Sequence, residues 1–355
     1  MNVQRFYEQW TKRVHLQMPF IRLTGSPSER GRQQGYLLMQ LILEGLTKLR
    51  RAAPPERWRR ARSMGAKSFA RLKAVAPALT AELEGLAEVT RLDILDVYLL
   101  SCFEYFDEGL TGCTSVGLQT SDGIFVAQNW DAPAGRSKEL VTLVHDDPDR
   151  PFVTIASAGT LGWVGMNGAG LAFVNNDLIV DRGLEGIPSL AIRRIMLATG
   201  CVDEALEVLR KSDHLGGRCF IIGDASGSLS MAEISPSAGV ADAAVQVIRH
   251  TNHPLLPLIT AWEDIEVVAK LYPSSRERLR AAYRFPLESA RDIETLLSDR
   301  TGAPDSICKS ASQREHTETA FSVIFDCRRR EAMISLGRPD RIPYQHLRLD
   351  VRAMV

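Results

Sequence analysis

The chain has 355 residues, 45% of them hydrophobic and 24% charged, an ordinary globular balance with ample length for a large core. Its 43 basic and 43 acidic side chains cancel, so no overall field draws it to nucleic acid or to an anionic membrane. No window approaches the ~18 unbroken apolar residues that span a bilayer, and residues 1–15 carry Arg5, Glu8, Lys12 and Arg13 without an apolar stretch. A cytoplasmic protein with no nucleic-acid and no membrane partner is expected. The six cysteines are scattered without a Cys-x-x-Cys pair, which fits a reducing compartment better than a disulfide framework or a thiolate metal site.

Taken in order, Leu37, Leu38, Leu41, Ile42, Leu46 and Leu49 recur at helical spacing, so 28–49 should form an amphipathic helix that ends before Pro54-Pro55. The arginines at 50, 51, 57, 59, 60 and 62 read as a solvated surface rather than an anion site. Leu72 and Val75 lead to Pro77, Leu79, Leu83, Leu86 and Ala87 resume the helical period, and Asp93 can cap a further helix. Residues 1–112 therefore read as a mainly helical, separable segment, and residues 113–355 as the catalytic unit. At Gly112 the period falls from about 3.6 to about 2.

Asp122-Gly123 between two apolar runs marks a β-hairpin, with Ser115, Gly117 and Gln119 on a wet face and Val116 and Leu118 on a buried one. Strands are expected at 140–144 and 152–156, and Asn167-Gly168 should make a tight type I′ turn between 163–166 and 171–174. Helices at 188–198 and 203–211 precede a hairpin around Asp224, and helices at 274–283 and 288–297 precede a last strand pair at 321–326 and 332–336. Helices, strands, helices and strands in that order, without βαβ alternation, favour an α+β fold of two antiparallel sheets covered by helices.

The chemistry gathers at the ends of the first hairpin. Cys113 opens one strand, while Asn129 and Asp131 close its partner roughly 5 Å away. A cysteine alone is more often a small core residue. Here, however, Gly112 precedes it without a Cβ, so its carbonyl can be approached closely. Attack by the thiolate on that carbonyl would turn the amide into a thioester, and water would then release the preceding segment. The new N-terminal cysteine would carry an α-amine of pKa roughly 7.7–8.0, able to act as base for its own thiol. A thiol-imidazole pair of Cys113 with His145 or His253, without cleavage, is the rival arrangement. His250 and His253 lack helical zinc spacing and Pro254 follows at once, so no metal site is expected. The glycines from 159 to 170 read as hairpin glycines, since no Gly-Lys-Ser/Thr follows them.

Gly112-Cys113-Thr114-Ser115, Gln128-Asn129-Trp130-Asp131, Gly162-x-x-Gly165-Met166-Asn167 with Gly170-Leu171-Ala172, and His250-Thr251-Asn252-His253 together form a recognisable series. The chain resembles the acyl-coenzyme A:isopenicillin N acyltransferase family, also called peptidase family C45, of N-terminal nucleophile (Ntn) hydrolases. Glu29-x-Gly31-x-x-x-Gly35, Leu83-x-Gly85-Leu86-Ala87 and Ser306-Ile307-Cys308 extend the likeness over most of the chain. The resemblance implies a four-layer αββα sandwich with a helical N-terminal segment. It also implies autocatalytic cleavage between Gly112 and Cys113, after which residues 1–112 stay bound as a partner of 113–355.

The implied activity is hydrolysis or transfer of an acyl group at the linear amide of a small-molecule substrate. Cys113 matches the nucleophile, Asp131 the acid that assists maturation and orders the site, and Asn252 the oxyanion donor. No resident cofactor is implied, and acyl-coenzyme A would enter as a co-substrate of transfer. Asn129 and Lys309 are further candidates for substrate contact. Lys309 stands where the family's acyltransferase carries arginine, and a point charge in place of a fork argues against isopenicillin N as substrate. A member that never matures and serves as a binding protein would share the fold, and the nucleophile alone does not choose between water and an amine as acceptor.

Overall fold

The computed structural model describes residues 20–106 and 111–349; the expectations for residues 1–15 fall outside them. Strand β1 (Phe20–Thr24) leads into helices α1 (Pro27–Ala52), α2 (Pro55–Val75), α3 (Pro77–Thr90) and α4 (Ile94–Leu99). Ser26 caps α1 in a reciprocal box with Glu29, satisfying backbone donors that have no partner in the first turn. Pro55 and Pro77 each begin a helix, where a missing N–H costs nothing. Asp93 caps α4 through Leu95 N at 2.9 Å, as its place in the sequence suggests.

The arginine run is not wholly solvated. Arg50 and Arg62 both pair with the buried carboxylate of Asp96 and so fasten α1 and α2 to α4. The glycine motifs upstream also find their reason in packing. A Cβ on Gly31 would sit 1.8 Å from the Glu82 carbonyl oxygen, and one on Gly85 would sit 2.2 Å from that of Ser28. Helices α1 and α3 thus cross backbone to backbone.

Beyond Gly112 come β2 (Gly112–Thr120), β3 (Gly123–Pro133), β4 (Leu140–Asp146), β5 (Phe152–Ser157), β6 (Val164–Asn167) and β7 (Ala172–Leu178). Helices α5 (Ser189–Met196) and α6 (Val202–Lys211) precede β8 (Gly217–Gly223), β9 (Leu229–Ser235), β10 (Gly239–Ala244) and β11 (Val247–His250). Helices α7 (Pro257–Thr260), α8 (Ile265–Leu271), α9 (Ser275–Ala282) and α10 (Ala290–Leu297) are followed by β12 (Thr317–Asp326), β13 (Glu331–Ser335) and β14 (Gln345–Arg348). They form an eight-stranded sheet, β1-β4-β5-β6-β7-β8-β9-β10, and a six-stranded sheet, β11-β2-β3-β12-β13-β14.

Three apolar layers separate four structural ones. Leu38, Ile42, Leu86 and Leu190 from the N-terminal helices and α5 pack on Leu143, Phe173 and Phe220 of the eight-stranded sheet. Val144, Val174 and Ile221 of that sheet meet Val126, Phe321 and Ile334 of the other. Val116, Phe125 and Ile324 on the far face pack on Ala281, Ile293 and Leu296 of α9 and α10. The fold is the α+β, four-layer αββα sandwich that the resemblance implied. No helix among the described residues is long and apolar enough to cross a membrane.

Two expectations need correction. The first hairpin has no wet face: with a sheet on one side and helices on the other, residues of β2 are buried from Gly112 through Leu118. The segment before Gly112 is mainly helical, and it is tied to the rest of the fold: β1 pairs in parallel with β4 and the helices share one core with the sheet. Finally, the turn after Asn167 is not type I′, which needs positive φ at both central residues. The positive φ falls on Gly170 instead, and Asn167 Oδ1 accepts from Ala169 N and Leu171 N to shape a longer loop.

Gly31→Ala should lower stability by about 3 kcal/mol, because the clash is with backbone that cannot swing aside. Gly45→Ala, in the same helix but with nothing within 4 Å of the new methyl, should be neutral or stabilising. Thermal unfolding of the two variants side by side checks this.

Candidate active site

Pairing of β2 with β3 sets Gly112 opposite Asp131, Cys113 opposite Trp130 and Thr114 opposite Asn129. Because side chains alternate across a strand, Cys113 and Trp130 point between the sheets while Thr114, Asn129 and Asp131 point to the helical side. Cys113 borders a cavity of about 450 Å³ whose wall also includes Leu100 and Phe103 from the N-terminal segment, Trp130, Trp163 and Arg193. Trp130 stacks on Trp163 at 5.0 Å and on Phe321 at 5.4 Å between ring centroids, giving the cavity an aromatic wall. Burial, reinforced by the Asp131 charge, pushes the Cys113 thiol up to about 12. In the continuous chain burial thus holds it as a protonated thiol.

On the other side of the strand lies a dense polar network. Arg278, fully buried on α9, donates to the Cys113 carbonyl, to Thr114 Oγ1 at 2.9 Å, to Ser274 Oγ at 3.0 Å and to Asn252 Oδ1 at 2.8 Å. Asn252 Oδ1 also accepts from the Cys113 backbone N at 2.8 Å. Both partners are donors, so this atom must be the amide oxygen. The Asn252 amide nitrogen donates to the Asp177 carbonyl at 3.2 Å. Asp131 Oδ1 accepts from Thr319 Oγ1 at 2.8 Å, whereas Oδ2 has no partner. A Cβ on Gly112 would come within 3.1 Å of that oxygen. Burial outweighs the attraction of Arg278 and Lys309 and raises the Asp131 pKa.

The loop that carries Asn252 is clamped at both ends by Glu233 on β9. One carboxylate oxygen accepts from His250 Nε2 at 2.8 Å and Leu255 N at 2.7 Å, the other from Leu256 N at 2.8 Å. Ser275 Oγ, at the start of α9, accepts from Asn252 N at 2.9 Å. Among the described residues, Cys219, Glu233 and His250 could also offer ligand atoms to a cation, all within 4.8 Å of one another. Both Glu233 oxygens are already engaged in holding the loop.

The structure therefore brings Gly112, Cys113, Asp131 and Asn252 together and separates two other candidates from the cavity. Asn129 spends its amide on the carbonyls of Leu297 and Ile307, at 2.8 and 3.1 Å, which fixes the end of α10 instead of a substrate. Lys309 is buried on the helical side and forms an ion pair with Glu315, so its charge is directed into the network. Burial lowers its pKa to about 8. The rival imidazole pairings also find no support in the geometry. His253 Nδ1 lies 2.7 Å from Ser275 Oγ, His145 packs against Phe152 near Glu82, and no histidine among the described residues lines the cavity.

Arg278 escaped the sequence reading because it sits among Arg276, Arg280 and Arg284 in what looks like a solvated helix. Its one signal is position. Residues three before it, three after and four after are Ser275, Ala281 and Ala282, the small buried side of α9.

A four-layer αββα sandwich with a cysteine at the head of a central strand, its nitrogen held by a side-chain amide, defines an Ntn-hydrolase fold. Residues 118–341 match the family acyl-coenzyme A:6-aminopenicillanic acid acyl-transferase, and the chain belongs to that family. It is 29% identical over 272 residues to the acyl-coenzyme A:6-aminopenicillanic-acid-acyltransferase 40 kDa form of Emericella nidulans, covering 73% of this chain and 75% of that one. Among solved structures it is similar to penicillin V acylase from Agrobacterium tumefaciens, at 15% identity and a TM-score of 0.40 over 63% of this chain and 82% of the other. It is also similar to a mutant of conjugated bile acid hydrolase from Clostridium perfringens, at 12% identity and a TM-score of 0.39 over 67% and 92%. Family membership places the chain with enzymes of acyl transfer.

Glu233→Gln should cost about 2 kcal/mol, because an amide NH₂ would replace one oxygen that now accepts a buried donor. Chemical denaturation compared with wild type checks the size of the effect.

Proposed function

We propose that the chain is a self-processing cysteine amidohydrolase or acyltransferase in which Cys113 becomes the first residue of the mature catalytic chain. The observation that carries this reading is the Cys113 nitrogen, held by Asn252 Oδ1 at 2.8 Å beside Arg278, with its thiol facing a cavity. In maturation the thiol adds to the Gly112 carbonyl carbon and gives up its proton, the C–N bond breaks, and the departing nitrogen takes a proton in exchange, so none is gained or lost overall. Asp131 suits the delivery of that proton, since burial favours its protonated form and its free oxygen lies beside Gly112. Water then cleaves the thioester, leaving residues 1–112 as a partner held by the shared core.

In turnover the α-amine of Cys113 removes the thiol proton and the sulfur attacks the substrate amide. Arg278 donates to the same Asn252 oxygen, and a cation this close favours the neutral form of the amine. Asn252 holds the amine through its oxygen and offers its N–H, now on a long bond to Asp177, to the oxyanion. The leaving amine takes back the proton, and water or an acceptor amine receives the acyl group. Acyl-coenzyme A would serve as acyl donor in the transfer branch, and no other cofactor is invoked.

Mass spectrometry of the purified full chain should find two fragments, 1–112 and 113–355, and a single uncut chain for Cys113→Ala. An uncut wild-type chain that nonetheless turns over amides would sink the maturation step. For pH dependence the sign follows from Arg278: removing its charge lets the α-amine hold its proton to higher pH. The acid limb of kcat/KM in Arg278→Met should therefore move up by about one unit, while Arg278→Lys keeps it near wild type.

A further inference from the structure

The cavity beside Cys113 contains a second buried arginine that makes no ion pair among the described residues. Arg193, on α5, is only 2% exposed. One of its terminal nitrogens donates to the Trp163 carbonyl at 3.0 Å, and its buried Nε has no partner. Its guanidinium carbon lies 6.0 Å from the Trp163 ring centre and 5.9 Å from that of Phe220. No carboxylate among the described residues pairs with it.

Neighbouring arginines show how the fold treats buried guanidinium groups elsewhere. Arg194 makes a two-pronged pair with Glu82 at 3.0 and 2.8 Å, and Arg218, on the same cavity wall, pairs with Asp177 and Glu104. Burying a charge is costly unless a partner answers it. At Arg193 the cost is visible: burial first, then the nearby Arg218 charge, lowers its pKa to about 9, although Glu104 and Asp177 act on it from a distance in the opposite direction. The partner is therefore sought in the space the guanidinium borders, which is the cavity that holds the nucleophile.

We propose that Arg193 is the recognition site for a carboxylate on the substrate, so that the enzyme acts on acyl amides bearing a free carboxylate. A planar guanidinium with unused N–H groups matches a carboxylate in charge and shape. The stacked Trp130 and Trp163 beside it supply a flat apolar wall for the remainder of the molecule. The inference rests on the reading of Cys113 as the nucleophile of this cavity, and it narrows the substrate class that this reading leaves open. Arg193 thereby selects the substrate and takes no part in bond making.

The test uses N-benzoylglycine and its primary amide, N-benzoylglycinamide, which differ in the carboxylate alone. Calorimetric titration of the full-length Cys113→Ala variant should give at least tenfold tighter binding of the acid. Adding Arg193→Met should bring the two affinities to within about threefold, and Arg193→Lys should retain part of the preference. Removing a buried charge that has no direct ion-pair partner in Arg193→Met should also leave the melting temperature equal or higher. Equal affinities in Cys113→Ala, including no binding of either compound, or a preference that survives Arg193→Met, would overturn the assignment. Turnover of the same pair by wild-type protein separates the two readings. Selective binding without turnover would leave the carboxylate site standing and remove the catalytic reading of Cys113. Turnover that ignores the carboxylate would do the reverse.

Discussion

One buried guanidinium holds the candidate site together. Arg278 reaches from α9 to the Cys113 carbonyl, Thr114 Oγ1, Ser274 Oγ and Asn252 Oδ1, joining the outer helical layer, the first residues of β2 and the loop after β11. Placing such a cation away from water is unfavourable unless its donors are met. Four oxygen acceptors meet them, and the Asp131 charge lies close enough to offset part of the cost. Because those acceptors come from three separate stretches of chain, forming the network and assembling the site are the same event.

The strand between the two sides of the site divides their roles. Alternation sends the Cys113 thiol toward the aromatic cavity and the Asp131 carboxyl toward the polar network, while the backbone between them carries the bond proposed to break. Substrate selection can therefore be built on one face and control of backbone protons on the other. Glu233 extends the polar arrangement outward by gripping both ends of the Asn252 loop. A side-chain amide with one oxygen shared by two donors needs such support to keep its orientation.

Residues before Gly112 are part of this arrangement. Strand β1 extends the eight-stranded sheet, α1 and α3 lie backbone against backbone on its outer face, and Leu100 and Phe103 reach the cavity wall. Cutting the chain after Gly112 would leave these contacts unchanged, because the holding forces are apolar burial and hydrogen bonds rather than the one peptide bond. The N-terminal segment thus shapes the cavity that β2 opens onto.

Local patterns were enough to read much of the molecule from its sequence. Apolar spacing gave the helices, the change of period at Gly112 gave the first hairpin, and the residue series around Cys113, Asp131 and Asn252 pointed to residues that do meet in space. Turn and face assignments failed where a distant partner overruled a local preference: Gly170 rather than Gly168 takes positive φ, and the eight-stranded sheet covers the face of β2 expected to be wet. Asn129 and Lys309 lie away from the cavity beside Cys113 for the same reason, since a strand neighbour in sequence faces the opposite side, and a lysine's direction depends on which carboxylate packs beside it. Arg278 and Arg193 belong wholly to the tertiary structure. The sequence by itself determined the periodicity and the order of reactive groups, because both are carried by near neighbours. Only folding decided which arginine meets carbonyl oxygens and which faces the cavity, because burial and charge compensation depend on elements far apart in the chain.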